Sequence, residues 1–249
     1  RFLIAYLGIW VISPKRLFTN NWQDELWLVA GGIFGGSLYF FTENTALGIT
    51  QASNVSFIIC TAPLLTTILS LLFYKSEKAS KGLIYGSLLA LMGVGLIVFN
   101  GSFVLKISPI GDLLTLLAAL SWAFYSLIIK KMAGRYPTIF ITRKIFFYGV
   151  LTILPAFLLH PLQPDTAVLL QPAVLFNLLF LAVLASLICY VLWNVVLKQL
   201  GTVRASNYIY LNPLVTMIAS FLILDEKITL VALGGAACIV CGVYWAEKK

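Results

Sequence analysis

The strongest constraint in this sequence is a series of unbroken apolar runs, each about as long as a membrane is thick. They cover residues 26–47, 52–73, 82–99, 112–132, 138–159, 173–197, 204–224 and 228–246, with a shorter run at 2–13. A hydrocarbon core of about 30 Å needs about 20 helical residues to cross it. Only α-helices and closed barrels satisfy every backbone group inside lipid. These runs are continuous and lack the period-two alternation of barrel strands, so they predict helices. The connections are short and leave no room for a separate soluble domain. Hydrophobic residues make up 61% of the chain and charged residues 10%, against about 45–50% and 25% in soluble domains. That balance excludes a disordered chain, a disulfide-rich secreted domain and an ordinary soluble enzyme. The expected fold is an all-α polytopic membrane protein of about nine helices, the first (2–13) too short to cross.

The net charge of +8 would suggest nucleic acid in a soluble protein; its distribution here points to a lipid bilayer and no nucleic acid. Let the loop after the first run be cytoplasmic and let sides alternate from there. The cytoplasmic side then receives Lys15, Arg16, Lys75, Lys78, Lys81, Lys130, Lys131, Arg135, Arg143, Lys144, Lys198, Arg204, Lys248 and Lys249. Beyond Arg1, only Lys106 and Lys227 fall on the other side. This asymmetry orients the chain with its C-terminus in the cytoplasm and supports the span count, because one missed helix would scramble it. A bacterial inner membrane is the expected location. Cys60, Cys189, Cys238 and Cys241 all lie in apolar runs. The C-x-x-C pair has no second pair and no nearby His, so the cysteines read as small buried residues, with no metal or other cofactor expected.

Internal repeats mark many polytopic transporters, and this chain carries one. A shift of 150 residues brings Asn44 onto Asn194, Ser56 onto Ser206, Pro63-Leu64 onto Pro213-Leu214, and Thr66 and Ser70 onto Thr216 and Ser220. A shift of 149 brings Glu77-Lys78 onto Glu226-Lys227, Gly86 onto Gly235 and Gly93 onto Gly242. An odd number of helices separates each element from its mate, so the second copy is inverted across the membrane. The expected domains are a first repeat at 1–106 and an inverted second repeat at 107–249. The second copy has one helix, 112–132, with no mate in the first. That asymmetry predicts a missing helix upstream of Arg1, within roughly 30–40 residues, and a parent of ten helices.

Ionisable residues inside a membrane span are functional candidates, since each costs about 2.5–3.5 kcal/mol at a helix centre on insertion scales. Glu43 lies within the span 26–47 near its outer end, where a substrate amine or a proton could partner it, or where it could simply reach water. Arg143 and Lys144 are expected to snorkel toward the cytoplasm, and Asp112 to be solvated at an outer helix end. Polar residues cluster in 52–73 and 204–224. Asn44, Asn54, Asn194, Asn207 and Asn212 read either as glue between helices or as cavity lining; the serines and threonines read mainly as glue. Pro63 and Pro213 each delete a backbone donor at mid-depth, and as a matched pair they suggest two helices bent around one space. Tyr39, Trp122, Tyr125, Tyr190, Trp193 and Tyr208 suit a pocket for a small amphipathic molecule, or packing and lipid contact. The glycines read as close-packing positions, with sliding as the alternative. No catalytic residue is predicted.

Several of these segments resemble a known family. Ala46-Leu47, Ala52-Ser53-Asn54-Val55-Ser56 and Ala62-Pro63-Leu64, repeated in Leu192-Trp193-Asn194, Arg204-Ala205-Ser206 and Tyr210-Leu211-Asn212-Pro213, look like the drug/metabolite transporter superfamily, EamA type. Ser121-Trp122-Ala123 followed by Pro137 and Arg143 looks like the start of a family repeat. The resemblance covers essentially the whole chain. It implies ten helices in two inverted repeats and transport, often export, of amino acids, metabolites or drugs through a central cavity. Asn212 stands where many members carry Glu, and Glu43 is unusual at its position. An exchanger of nucleotide sugars or organic phosphates is the alternative within the superfamily.

Two other classes compete. An intramembrane enzyme would need an acid/base pair, an H-E-x-x-H or a G-x-S-x-G elbow, none of which occurs. A channel would favour rings or filter loops over an inverted repeat. No G-x-x-x-x-G-K-[ST] phosphate loop is present to drive transport by nucleotide hydrolysis, which leaves a proton or a counter-solute as the coupling partner of a small-molecule substrate.

Overall fold

The computed structural model describes residues 1–14, 18–19, 21–74, 80–99, 108–159, 170–224 and 228–248. Lys15, Arg16, Lys75, Lys78, Lys106 and the loop 225–227 lie outside these. The described residues fold into nine helical stretches and no strand. They are α1 (Phe2–Ile12), α2 (22–49), α3 (Ala52–Phe73), α4 (Lys81–Phe99), α5 (Pro109–Ala133), α6 (Thr138–Leu159), α7 (Pro172–Leu200), α8 (202–224) and α9 (Leu230–Glu247). Seven are long and apolar enough to cross a membrane. The helix α2 is as long, but Asp24, Glu25, Glu43 and five glycines dilute its apolar character, and it is not among the seven. The chain is an all-α polytopic membrane protein.

The apolar runs set the helices and local chemistry sets their ends. The side chain of Asn21 caps α2 by accepting from the Gln23 N–H at 3.0 Å, and Asp24 and Glu25 occupy the first turn, where the helix dipole favours anions. Thr229 caps α9 by accepting from the Ala232 N–H at 3.1 Å. Gly201, at φ +82°, turns the chain from α7 into α8 in a conformation that suits glycine.

Four helices are irregular, and the irregularities match across the repeat. A π segment, Ile33–Ser37, interrupts α2, and a longer one, Phe180–Ile188, interrupts α7. Shifting the first by 150 lands it inside the second. α3 breaks between Ile59 and Ala62, just before Pro63, and α8 passes through a 3-10 turn, Tyr208–Leu211, just before Pro213. Each proline removes a donor and leaves the helix to re-form around it. The two prolines expected to disturb their helices do so at positions related by the same 150-residue shift.

The chain divides into two compact units, each drawing on both sequence halves: Arg1–Phe40 with Phe124–Gly201, and Phe41–Ala123 with Thr202–Lys249. In the first, α6 packs along the start of α2 and along α1. In the second, α4 and α9 pair along their length and the start of α8 lies on the second segment of α3.

Candidate functional site

In the first unit, the start of α2 holds two acids side by side. Adjacent helical residues point in different directions, so Asp24 and Glu25 grip different partners. Asp24 receives Arg135 Nη1 on Oδ1 and the Tyr136 hydroxyl on Oδ2 at 2.9 Å. Partial burial and that bond to a carboxylate raise the Tyr136 phenol above its ordinary range. Glu25 receives Lys144 Nζ and the Tyr148 hydroxyl on Oε1, and the Thr19 N–H (2.9 Å) and hydroxyl (2.6 Å) on Oε2. Lys144 and Tyr148 lie one turn apart on α6, so one carboxylate meets both. The side chain of Lys144 is 0% exposed, and Arg143, equally buried, donates to the Ser13 carbonyl at 2.7 Å. This corrects the expectation that the two cations snorkel into water: both are enclosed, Lys144 on a carboxylate and Arg143 on a backbone carbonyl.

Deeper in the same unit, Tyr125 donates to Asn194 Oδ1 at 2.7 Å, and Asn194 Nδ2 donates to Thr142 Oγ1 at 2.9 Å. The Thr142 hydroxyl in turn donates to the Thr138 carbonyl, also at 2.9 Å. The Tyr125 ring rests on Gly35, where a Cβ would lie 2.2 Å from it. The Gly35 carbonyl, inside the π segment, accepts from the Tyr190 hydroxyl at 2.8 Å. Tyr125, Tyr190 and Asn194 are thus brought together as ties between helices α2, α5, α6 and α7. Tyr39 is half-buried edge-on to Phe40, and Trp193 is half-buried on α7.

In the second unit, Glu43 and Trp122 are half-buried, whereas Asn44, Tyr208 and Asn212 are exposed. The equivalence of Asn44 and Asn194 therefore stops at the sequence: one is exposed and the other fully enclosed. Asn54 and Asn207 are buried on α3 and α8. Asn207 is 0% exposed, and neither atom of its side-chain amide has a protein partner; Thr66 Oγ1 on α3 and Thr202 Oγ1 on α8 are in the same condition. Buried amides without partners are rare and costly, so the packed segments Ala62–Phe73 and Thr202–Asn207 carry polar groups suited to meet water or solute. Pro63 and Pro213 are both buried. Asp112 is half-buried at the start of α5, where it accepts from the Ser108 N–H (3.2 Å) and the Thr50 hydroxyl (3.4 Å).

Sequence reading passed over Asp24, Glu25, Thr142 and Tyr148. The signal for the two acids was available: Asn21 followed by acids is a helix start, four residues before the apolar run.

Comparison with known proteins gives one consistent result. The model of the EamA-like transporter family matches residues 1–99 and 109–246. An "uncharacterized transporter" of Archaeoglobus fulgidus is 29% identical over 100% of this chain and 86% of its own length. A "probable amino-acid metabolite efflux pump" of Escherichia coli K12 is 24% identical over 97% of this chain and 81% of its own. A crystal structure, 17% identical, superposes with a TM-score of 0.82 over 99% of this chain and 84% of that one, and shows the same fold.

Proposed function

The chain belongs to the EamA-like transporter family, and on that premise we propose that it is a secondary exporter of amino acids, metabolites or drug-like small molecules, working by alternating access. The observation that carries this reading is the matched pair of broken helices, α3 before Pro63 and α8 before Pro213. Irregular backbone at membrane depth is tolerated where protein or a water-filled cavity satisfies it, and transporters place substrate sites at such breaks in inverted repeats. The repeats in this reading are 1–106 and 107–249, with the C-terminus in the cytoplasm of a bacterial cell. The name of the Escherichia coli relative favours amino acids and their metabolites as substrates.

Asn207, with Thr66 and Thr202, is the polar group we assign to solute or its water; Asn54, Asn212, Tyr208 and Trp122 are further candidates in the same unit. Tyr125, Tyr190 and Asn194 are assigned to holding helices together. Glu43 is the coupling candidate, for a proton or a substrate amine. The test is efflux of radiolabelled amino acids from proteoliposomes holding the complete protein, wild type and Glu43→Gln, across pH 5–8. Loss of flux or of its pH dependence supports the assignment. Wild-type flux at every pH removes Glu43 from it, and no flux of any amino acid by the wild type refutes that substrate class.

A further inference from the structure

Along α4 and α9 the chain meets its own repeat. A Cβ built on Gly93 would lie 2.5 Å from the Gly235 carbonyl oxygen and 2.8 Å from the Ile239 nitrogen. One on Gly242 would lie 2.6 Å from the Gly86 oxygen and 2.5 Å from the Ala90 nitrogen. One on Gly86 meets the Gly242 oxygen at 2.5 Å, and one on Gly235 meets the Gly93 oxygen at 2.7 Å. The shift of 149 carries Gly86, Ala90 and Gly93 onto Gly235, Ile239 and Gly242. Every one of these contacts therefore maps onto another, atom for atom. An interface in which i touches j and the mate of j touches the mate of i has a two-fold axis running through it. The core beside it is built likewise: one buried cluster contains Ala90 with Ile239 and Val94 with Val243, mates at the shift of 149, and Cys60 with Tyr210, mates at the shift of 150.

We infer that the α4–α9 seam is the stationary axis of the transport cycle, an inference that rests on the alternating access proposed above. In an inverted repeat, the outward and inward states differ by an exchange of conformation between the repeats. A contact that maps onto its own mate under that exchange has the same partners in both states. The seam consists of such contacts, and it is packed at backbone level: a Cβ on any of its four glycines would meet backbone atoms of the facing helix at the distances above, which no side-chain rotation relieves. Its glycines serve fixation rather than sliding. The tie from Tyr190 to the Gly35 carbonyl is the contrast. Its mates are Phe40 and Ala185, and Phe40 has no hydroxyl to donate, so the exchange does not preserve it.

The test bridges the seam. Native Cys238, whose Cβ lies 2.9 Å from the Cβ position of Gly93, is joined by a short bismaleimide to Leu89→Cys or Leu96→Cys, on the turns either side of Gly93. The background is the complete protein with Cys60, Cys189 and Cys241 replaced by Ala, in proteoliposomes carrying the same radiolabelled amino acids. The inference expects less than about a twofold loss of flux on bridging at either position. A larger loss on bridging, with the unbridged protein active, overturns the stationary seam and leaves the transport reading standing. If the wild-type protein moves none of these solutes, the transport reading falls and the seam inference falls with it.

Discussion

The pair between Glu25 and Lys144 allows a quantitative test of how the first unit is held. The side chain of Lys144 is 0% exposed and that of Glu25 12%, whereas Arg135, on Asp24, is 52% exposed. Removing one partner of a buried pair strands the other and costs about 3–5 kcal/mol. Glu25 keeps the Thr19 and Tyr148 donors when Lys144 is lost, so Lys144→Met belongs at the lower end, about 3 kcal/mol. Glu25→Gln leaves an ammonium facing an amide and the rings of Phe18 and Tyr148, at 4.7 and 4.8 Å, and costs at least as much. Arg135 reaches water, but its partner Asp24 is only 5% exposed and keeps the Tyr136 hydroxyl when Arg135 is lost, so Arg135→Ala is expected to cost less than Lys144→Met, about 1–2 kcal/mol. For a chain of this size the larger losses correspond to roughly 6–12 °C in Tm. The double variant Glu25→Gln/Lys144→Met leaves no stranded charge and is expected within about 1 kcal/mol of wild type. Thermal unfolding of the detergent-solubilised protein, followed by size-exclusion fluorescence, reads all four. The reasoning is refuted if Arg135→Ala costs as much as Lys144→Met, or if the double variant falls as far as the two single losses added together.

Three further outcomes follow from the same structure. Because the seam is reciprocal, Gly93→Ala and Gly242→Ala should lower Tm by equal amounts, each from an overpacking cost of about 1–3 kcal/mol; a large difference between these mates would contradict the two-fold relation. Tyr125→Phe leaves the Asn194 oxygen enclosed without its donor and should cost about 1–3 kcal/mol, whereas Tyr208→Phe, on an exposed side chain, should stay within about 0.5 kcal/mol of wild type. In a cysteine-free background, a single cysteine at position 78 should label from the cytoplasmic side and one at 165 from the outside; labelling of 165 only from the cytoplasm would overturn both the orientation and the inversion.

The helices were legible because the bilayer sets their length and lipid sets their composition. The run at 138–159 matches α6 end for end, and the others differ by a few residues at their ends. The disturbances at Pro63 and Pro213 were legible too, since a missing N–H is written in the residue itself. The π segments were not: Ile33–Ser37 and Phe180–Ile188 contain no residue that demands them, and packing against neighbouring helices decides them. The polar candidates could be named but not sorted. Asn194 and Asn207 are alike on paper, yet Asn194 finds Tyr125 and Thr142 while Asn207 finds no protein partner, and only the placement of neighbouring helices separates them. The acids at 24 and 25 are hidden from hydropathy because the apolar run begins only at 26, past the helix cap at Asn21. The glycines were recognised as packing positions, but whether they slide or lock depends on what stands opposite, and backbone stands opposite the seam glycines.

The central claim is that this chain carries solute by alternating access, and counterflow tests it most directly. Proteoliposomes holding the complete protein are loaded with a high concentration of one unlabelled amino acid and diluted into a trace of the same compound, labelled. A carrier with one site exposed alternately to each side is expected to accumulate label transiently above equilibrium, with saturable dependence on the internal solute. Label that only approaches equilibrium, at a rate proportional to concentration for every amino acid tried, would describe a pore and contradict the account.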